Sequence, residues 1–138
     1  MTNQISAAGD YVLRTARDAD IPAIIKLINA NLDKLLPRAA SEMKELLDTT
    51  WVIEENGKVV GSCCLEIYSH KIAELRTLAV DAACRGKGYG IALVKAATAE
   101  ARRRKIPQVL TVSSAKEFFE KLNFGPCLNE KYALFWNG

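Results

Sequence analysis

The feature that most constrains this chain is the segment of residues 75–91, which reads LRTLAVDAACRGKGYGI. It starts with a short apolar run that is typical of a buried strand, turns at Asp81, and continues into a basic loop with three glycines. The segment IALVKAATAEARRR follows directly, and its small and apolar residues recur at helical spacing. The sequence therefore predicts a strand, a glycine-rich loop and a helix in immediate succession.

A glycine-rich loop at the start of a helix is suited to binding an anion. Its backbone N–H groups point toward one spot, where the helix dipole adds roughly half a positive charge. Glycines allow close approach because they have no Cβ, and Arg85 and Lys87 add positive charge beside the loop. The chain contains no GxxxxGK[ST] Walker motif and no GxGxxG dinucleotide fingerprint. We expect the loop to bind a diphosphate; the alternative is an ordinary turn with two solvated basic residues.

Length and composition indicate the class of protein. The chain has 138 residues, of which 49% are apolar and 25% are charged, so we expect one globular domain over residues 1–138. We find no apolar run long enough to span a membrane and no signal peptide, and we expect a cytoplasmic protein with no membrane partner. The four cysteines form no CxxC pair and there is one histidine, which predicts free thiols and no metal site.

The net charge is +3, and the densest basic run, residues 102–105, ends the helix that follows the glycine loop. Cations are favourable at the C-terminus of a helix because they complement its dipole. No aromatic residues interleave with this run, so we expect no nucleic-acid partner.

The first third of the chain predicts a strand and two helices. Residues 11–15 have strand character, and Asp18 is the expected cap of a helix that tolerates Pro22 in its first turn. A second helix is expected over residues 41–48 with Ser41 as its cap, and the loop before it is expected to expose Arg38. The first helix has an expected apolar face of Ile21, Ile24, Ile25, Ile28 and Leu32.

Strand signals dominate from Thr50 onward. Asn56-Gly57 lies between two β-rich runs and predicts a hairpin, and residues 72–80 supply the next strand. After the long helix we expect a strand at 108–113, a helix at 114–122 and a last strand at 131–136. This order predicts a mixed α/β (α+β) sheet with helices on both faces, in which ligands bind where neighbouring strands part.

Arg85, Gly88 and Gly90, after a strand that ends in LAV, resemble the coenzyme A pyrophosphate loop of the GNAT acetyltransferase superfamily. The element order over residues 11–126 is similar to the GNAT fold as well. The resemblance implies a mostly antiparallel sheet with splayed central strands, and acetyl-CoA as the cofactor. Within the superfamily, the chain resembles the amino-acid acetyltransferases that make N-acetylglutamate for arginine synthesis, through the segments LLPRAASE, WVIEENGKVVGSCCL, AELRTLAV and EFFEKLNF.

The resemblance implies where acetyl-CoA binds. The pyrophosphate is expected on the loop, and the pantetheine arm and the thioester oxygen are expected on backbone groups of the central strand, where Val80 loses its ladder partner if the strands splay beyond it. Phe119 is expected to line the cofactor channel. The expected cofactor residues are Leu78, Ala79, Val80, Arg85, Gly86, Lys87, Gly88, Tyr89, Gly90, Ile91, Ser113 and Phe119.

Acetyl transfer to an amine requires a base, because α-amino groups titrate near ~8 and are mostly protonated at neutral pH. Glu74 is the candidate because it alternates with Arg76 and Leu78 on one face of the central strand. Glu66 on the neighbouring strand is the second candidate, acting through water. Many superfamily members have a tyrosine as the proton donor where this chain has Phe119, so the donor stays open between Ser113, Ser114, Tyr132 and water.

Arg38 and Arg76 are the candidates for binding a substrate carboxylate, because a guanidinium matches a carboxylate in two parallel hydrogen bonds. We expect the partner to be a small-molecule amine, foremost the α-amine of glutamate, and we leave a homodimer open. The alternatives are an acetyltransferase for a protein or a polyamine, and a module that binds acyl-CoA without catalysis.

Overall fold

The structure, a computed structural model, describes residues 4–8, 11–126, 134 and 136–138. Its strands are β1 (Gln4–Ala8), β2 (Tyr11–Thr15), β3 (Thr50–Glu55), β4 (Lys58–Ile67), β5 (Ile72–Val80) and β6 (Gln108–Leu110). Its α-helices are α1 (Ile21–Asn29), α2 (Ala40–Glu45), α3 (Tyr89–Arg103) and α4 (Lys116–Glu120), and short 3-10 turns occupy Asp18–Asp20, Leu47–Thr49 and Ala82–Cys84.

Within the described residues the strands form one sheet in which neighbours in sequence are neighbours in space. Strands β1 to β5 pair antiparallel, and β6 joins β5 in parallel after the α3 crossover. The predicted mixed, mostly antiparallel sheet is thus confirmed. Strand β1 was not predicted, and it adds to the edge of the sheet through its pairing with β2.

Helices cover both faces of the sheet, as predicted. One core lies between the sheet and α3, where Leu93, Val94 and Ala97 pack on Trp51 and Leu65. The second core lies on the opposite face and is formed by α1, α2 and the sheet; its buried members are Ala16, Ile21, Ile24, Ile28, Met43 and Val52. Burial of these side chains, at about 1.5–3 kcal/mol each, is what holds the two helical layers on the sheet.

The hairpin between β3 and β4 has the predicted turn. Asn56 has φ of 52° and Gly57 has φ of 77°, and positive φ at both central residues defines a type I′ turn. This turn matches the twist of the flanking strands, so its sequence also sets their register.

The start and the end of α1 differ from the prediction. Asp18 makes no capping hydrogen bond; Asp20 instead accepts one from the backbone N–H of Arg17 at 2.7 Å. The guanidinium of Arg14 also binds Asp20, at 2.7 Å, so this carboxylate anchors the helix entry to β2. Leu32 is 50% exposed because α1 ends at Asn29 and the chain turns away from the core.

The ends of other helices and strands also differ from the prediction. Helix α2 begins at Ala40 with Ala39 at its N-cap, so Ser41 lies inside the helix and makes no cap hydrogen bond. Strand β6 ends at Leu110, three residues earlier than predicted, and α4 is shorter than predicted at both ends. The strand expected at 131–136 falls largely outside the described residues.

Cys63, Cys64 and Cys84 are buried free thiols, as predicted, and Cys127 lies outside the described ranges. Burial raises the pKa of Cys63 and Cys64, which keeps both thiols protonated. None of the helices in the described part of the chain has the length and apolar character needed to cross a bilayer.

Candidate active site

Strands β5 and β6 part after a short contact and open a cavity between them. They pair only from Ile72 to Glu74 on β5, and beyond this point the hydroxyl of Thr111 donates to the carbonyl of Leu75 at 3.1 Å. The parting thus begins at Glu74, six residues before the position expected from the sequence. The cavity has a volume of about 860 Å³ and is lined by β5, the residues after β6, the start of α3 and the loop after α1.

A bulge in β5 reorients its side chains inside this cavity. Thr77 has φ of 53°, a left-handed conformation that a β-branched residue rarely adopts, and Thr77 and Leu78 together lie opposite Cys63 of β4. As a result Glu74 and Arg76 share one face, whereas Leu78 packs with Leu75 in the core beneath α3. The expectation that Glu74, Arg76 and Leu78 all share one face is therefore wrong.

The glycine loop lies at one end of the cavity, ahead of α3. Gly86 and Gly88 have φ of 85° and 83°, and a Cβ added at either would meet no atom within 4 Å. Gly88 is the N-cap of α3, so the first N–H groups of that helix face the region that the glycines leave open. This open backbone at a helix N-terminus fits the diphosphate of coenzyme A.

The other predicted loop residues, apart from Lys87, also line the cavity. Gly90 lies within the first turn of α3, and a Cβ there would come within 3.3 Å of the Phe118 ring. Arg85 lines the cavity and donates to the side-chain oxygen of Asn31 at 3.1 Å. The cavity wall also includes Gly86, Gly88, Tyr89, Gly90, Ile91, Leu78, Ala79, Val80, Ser113 and Phe119.

Lys87 is the exception among the predicted loop residues. Its ammonium group lies 3.0 Å from the carboxylate of Glu55 and 5.9 Å from the centre of the Tyr89 ring, and it does not line the cavity. In the cavity wall itself, Arg85 and the N-terminus of α3 supply positive charge at this end. The expected contribution of Lys87 to cofactor binding stays a prediction, and the structure shows its ammonium group paired with Glu55.

Glu74 lies in the wall of the cavity at the point where β5 and β6 part. Its carboxylate accepts a hydrogen bond from the hydroxyl of Tyr68, a half-exposed residue that the sequence did not single out. Burial and the hydrogen bond to Glu74 raise the pKa of Tyr68 to about 12. Tyr68 therefore stays protonated and donates to Glu74 throughout the neutral range.

Glu66 is the direct cross-strand neighbour of Glu74, but its carboxylate is engaged elsewhere. It accepts a hydrogen bond from Arg76 at 2.7 Å and lies 3.7 Å from the guanidinium of Arg38. This hydrogen bond raises the pKa of Arg76, so its guanidinium is charged at every physiological pH. Arg76 lines the cavity, whereas Glu66 does not.

Arg38 is buried, which corrects the expectation of an exposed arginine. It is 7% exposed, does not line the cavity, and has Glu42 at 2.8 Å as its nearest carboxylate. Its Nε, Nη1 and Nη2 atoms lack a well-aligned hydrogen-bond partner. Seen from the cavity, Arg38 thus lies behind Arg76, and the carboxylate of Glu66 lies between their two guanidinium groups.

The residues after β6 form the opposite wall. Ser113 and Ser114 line the cavity, and the Ser113 hydroxyl accepts a hydrogen bond from the backbone N–H of Ala115. Phe119 is buried and makes edge-to-face contacts with Phe118 and Phe124, at centroid distances of 5.0 and 5.2 Å. Tyr132, which the sequence analysis left as an open proton donor, is outside the described residues.

The loop between α1 and α2 supplies site residues that sequence reasoning missed. Asn31, Lys34, Leu35 and Leu36 line the cavity, and Leu36 is 71% exposed. The only signal in the sequence was that Pro37 ends helical structure here, and this does not reveal which site the loop covers.

Comparison with known proteins agrees with this geometry. The acetyltransferase (GNAT) domain family matches residues 47–126. An amino-acid acetyltransferase from Mycobacterium tuberculosis is 35% identical over 117 residues, which are 82% of this chain and 67% of that protein. A Mycobacterium tuberculosis protein solved in complex with CoA superposes with a TM-score of 0.78 at 34% identity, over 81% of this chain and 70% of that one.

A third similarity concerns the fold alone. N-acetylglutamate synthase from Neisseria gonorrhoeae, complexed with coenzyme A and N-acetyl-glutamate, superposes with a TM-score of 0.76 at 24% identity. The match covers 85% of this chain and 28% of that one.

The splayed sheet and the glycine loop at the start of α3 define an acyl-CoA-dependent transferase. The chain belongs to the GNAT acetyltransferase family. It is an N-acetyltransferase that uses acetyl-CoA and acts on an amine, as predicted from the sequence.

Proposed function

We propose that the chain acetylates the α-amine of an acidic amino acid, foremost glutamate. The observation that carries this proposal is that Glu74 and Arg76 line the same cavity from one face of β5, where β5 and β6 part. A carboxylate and a guanidinium side by side offer a base for the amine and a partner for a carboxylate of the same substrate.

Acetyl-CoA supplies the activated acetyl group when it is bound. The chain contributes the N–H groups of residues 85–91 for the diphosphate and the free edge of β5 from Leu78 to Val80 for the pantetheine arm. Thr77 lies immediately before this edge, and its left-handed backbone turns the strand there. Ser113 and Phe119 complete the channel on the other side.

Glu74 acts as the general base in this proposal. Its position in the cavity wall allows it to take a proton from the ammonium group of the substrate, directly or through one water. The Tyr68 hydroxyl orients the carboxylate. Glu66 is less suited to this role because it is paired with Arg76 outside the cavity wall, and it serves instead to hold the Arg76 guanidinium.

Arg76 binds the substrate carboxylate in this proposal, and Arg38 supports it. Arg38 is too deeply buried to line the cavity, but it shares Glu66 with Arg76 and supplies a second positive charge. Arg38 is itself paired with Glu42 at 2.8 Å, so its support of Arg76 acts through the shared carboxylate of Glu66.

Three further features are part of the proposal. We expect the 138 residues to act as one domain, the location to be cytoplasmic, and the product to enter arginine synthesis. The Mycobacterium tuberculosis relative named amino-acid acetyltransferase supports an amino-acid substrate. A homodimer stays open.

The test is release of the coenzyme A thiol with acetyl-CoA held saturating and the amine varied. Glutamate, glutamine, alanine, spermidine and a lysine-containing peptide form the panel. We expect kcat/KM to be highest for glutamate, with glutamine second because it retains the α-carboxylate but loses the side-chain charge. Preference for spermidine or the peptide would overturn the amino-acid proposal and leave the acetyltransferase.

A further inference from the structure

Three donors around the glycine loop converge on one carboxylate from another part of the sheet. Glu55 is the last residue of β3 and accepts hydrogen bonds from the Tyr89 hydroxyl, from Lys87 at 3.0 Å and from the Cys84 thiol at 3.7 Å. Cys84 lies immediately before the loop, Lys87 lies within it, and Tyr89 is the first residue of α3. Side chains at the two ends and in the middle of the loop thus all bind the carboxylate of Glu55.

The surroundings make these contacts stable. The Glu55 side chain is 16% exposed, and the Tyr89 ring is buried against Tyr11 at a centroid distance of 4.7 Å. Hydrogen bonds from Tyr89 and Lys87 lower the pKa of Glu55, and the bond to Glu55 raises the pKa of Tyr89 to about 12. The carboxylate therefore stays ionised and the phenol stays protonated over the whole range in which an acetyltransferase operates.

The loop needs such an anchor because of its own sequence. Glycine loses more backbone freedom on ordering than any other residue, and residues 85–90 contain three glycines. Neither Gly86 nor Gly88 is packed closely enough for a Cβ to touch another atom, so side-chain packing at these positions does not hold the loop. An ordered loop before binding reduces the entropy that binding must offset.

We propose that Glu55 is a positioning residue for acetyl-CoA: it holds the loop of residues 85–90 in the conformation that receives the diphosphate. Lys87 serves the same purpose by binding Glu55 and does not bind the phosphates itself. This inference rests on the proposed placement of the diphosphate on the loop, and it is independent of which amine the enzyme acetylates.

The experiment measures coenzyme A binding by isothermal titration calorimetry without any amine present. Glu55→Gln keeps the size of the side chain but removes the charge that Lys87 and Tyr89 bind, and we expect Kd to rise about tenfold. Turnover at saturating acetyl-CoA should change less than about twofold, because Glu55 does not line the cavity that contains Glu74 and Arg76. Amide hydrogen exchange of residues 85–90 should accelerate, which a loss of stability elsewhere in the fold would not produce selectively.

Glu54→Gln is the matched control. Glu54 is the preceding residue on β3, but its carboxylate binds Arg14 at 2.8 Å on the opposite face. This variant loses a comparable ion pair without touching the loop, so its Kd for coenzyme A should match the parent's. Tyr89→Phe is a second variant, which keeps the proposal testable if Glu55→Gln does not fold. It removes one donor and leaves Glu55 paired with Lys87, and it should raise the Kd for coenzyme A by a few fold.

Lys87→Met separates this proposal from direct phosphate binding. If Glu55 anchors the loop through Lys87, the double variant Glu55→Gln/Lys87→Met should bind coenzyme A no more weakly than Glu55→Gln alone. If Lys87 bound the phosphates, Glu55→Gln would free it and tighten binding, and Lys87→Met would be the more damaging change. An unchanged or lower Kd for coenzyme A in Glu55→Gln overturns the proposal. Gly88→Glu tests separately whether the diphosphate binds to this loop.

Discussion

Arg76 donates a hydrogen bond to Glu66 at 2.7 Å across the ladder of β4 and β5. The bond holds the guanidinium at the edge of the cavity, so the arginine is oriented before a substrate arrives. An oriented guanidinium loses little further freedom on binding a carboxylate. Substitutions of Arg76 therefore test whether the enzyme recognises an acidic substrate.

Arg76→Ala should raise KM for glutamate at least about 30-fold, since truncating one member of a desolvated charge pair costs on the order of 2–5 kcal/mol. KM for acetyl-CoA should stay near the parent value. Arg76→Lys should recover only part of the loss, because an ammonium group cannot form two parallel hydrogen bonds with a carboxylate. Steady-state kinetics with each substrate varied give both constants; an unchanged KM for glutamate in Arg76→Ala would exclude Arg76 from recognition.

Arg38 requires a different pair of variants because it is buried. Arg38→Met keeps an unbranched apolar chain, and the two carboxylates that it leaves behind, Glu42 and Glu66, are 43% and 24% exposed, so solvent limits the cost of removing their partner. If Arg38 supports carboxylate binding through Glu66, this variant should retain its melting temperature within a few degrees but raise KM for glutamate about fivefold. Arg38→Ala, which also leaves a cavity, is the comparison; loss of stability with unchanged KM in both would assign Arg38 a structural role alone.

Glu74→Gln should lower kcat by about 10²–10⁴, the usual contribution of a general base, and leave coenzyme A affinity unchanged. Glu66→Gln is measured in parallel. If Glu66→Gln loses more turnover than Glu74→Gln, the base is Glu66 acting through water and the assignment is reversed.

Gly88→Glu should weaken coenzyme A binding more than tenfold by placing a charged side chain where the diphosphate is proposed to bind. Gly57→Glu is the matched control, since Gly57 also has positive φ and no atom within 4 Å of an added Cβ, but lies in the β3–β4 hairpin. Backbone strain should therefore be similar in the two variants, and only Gly88→Glu should change the Kd. A Kd within about twofold of the parent in Gly88→Glu would remove the diphosphate from this loop.

Asp20 should make stability depend on pH at the acid end. Burial by itself would raise the pKa of Asp20, but hydrogen bonds from Arg14 and the Arg17 backbone outweigh it and lower this pKa. A lowered folded-state pKa means that Asp20 stabilises the fold above its unfolded value of about 3.9 and that this contribution is lost as pH falls through the folded-state value.

Asp20→Asn should therefore reduce the free energy of unfolding at pH 7 by about 3–5 kcal/mol, and the difference from the parent should shrink below about pH 4. Urea titrations at several pH values measure this. Asp18→Asn is the control, since Asp18 is exposed and makes no capping bond, and it should cost less than about 1 kcal/mol. An equal effect of the two substitutions would restore Asp18 as the helix cap.

The sequence by itself determined the features that depend on local periodicity and turn chemistry. Strand character in residues 11–15, the two β-rich runs after Thr50 and the apolar run before Asp81 predicted β2, β3, β4 and β5. Asn56-Gly57 predicted the hairpin, because type I′ turns require positive φ at two adjacent residues. The succession of a strand, three glycines and a helix was equally readable from the sequence, and the binding of a diphosphate there stays a proposal. These features also carried the family and its cofactor.

The tertiary structure decided what depends on partners distant in sequence. It buried Arg38, paired Arg76 with Glu66, and turned Lys87 toward Glu55, a residue 32 positions earlier. No local rule identifies these partners, because the free energy of an ion pair depends on burial and distance, which only the packed fold sets. The same reason explains the bulge at Thr77, where pairing with β4 overrides the preference of a β-branched residue and decides which side chains of β5 face the cavity.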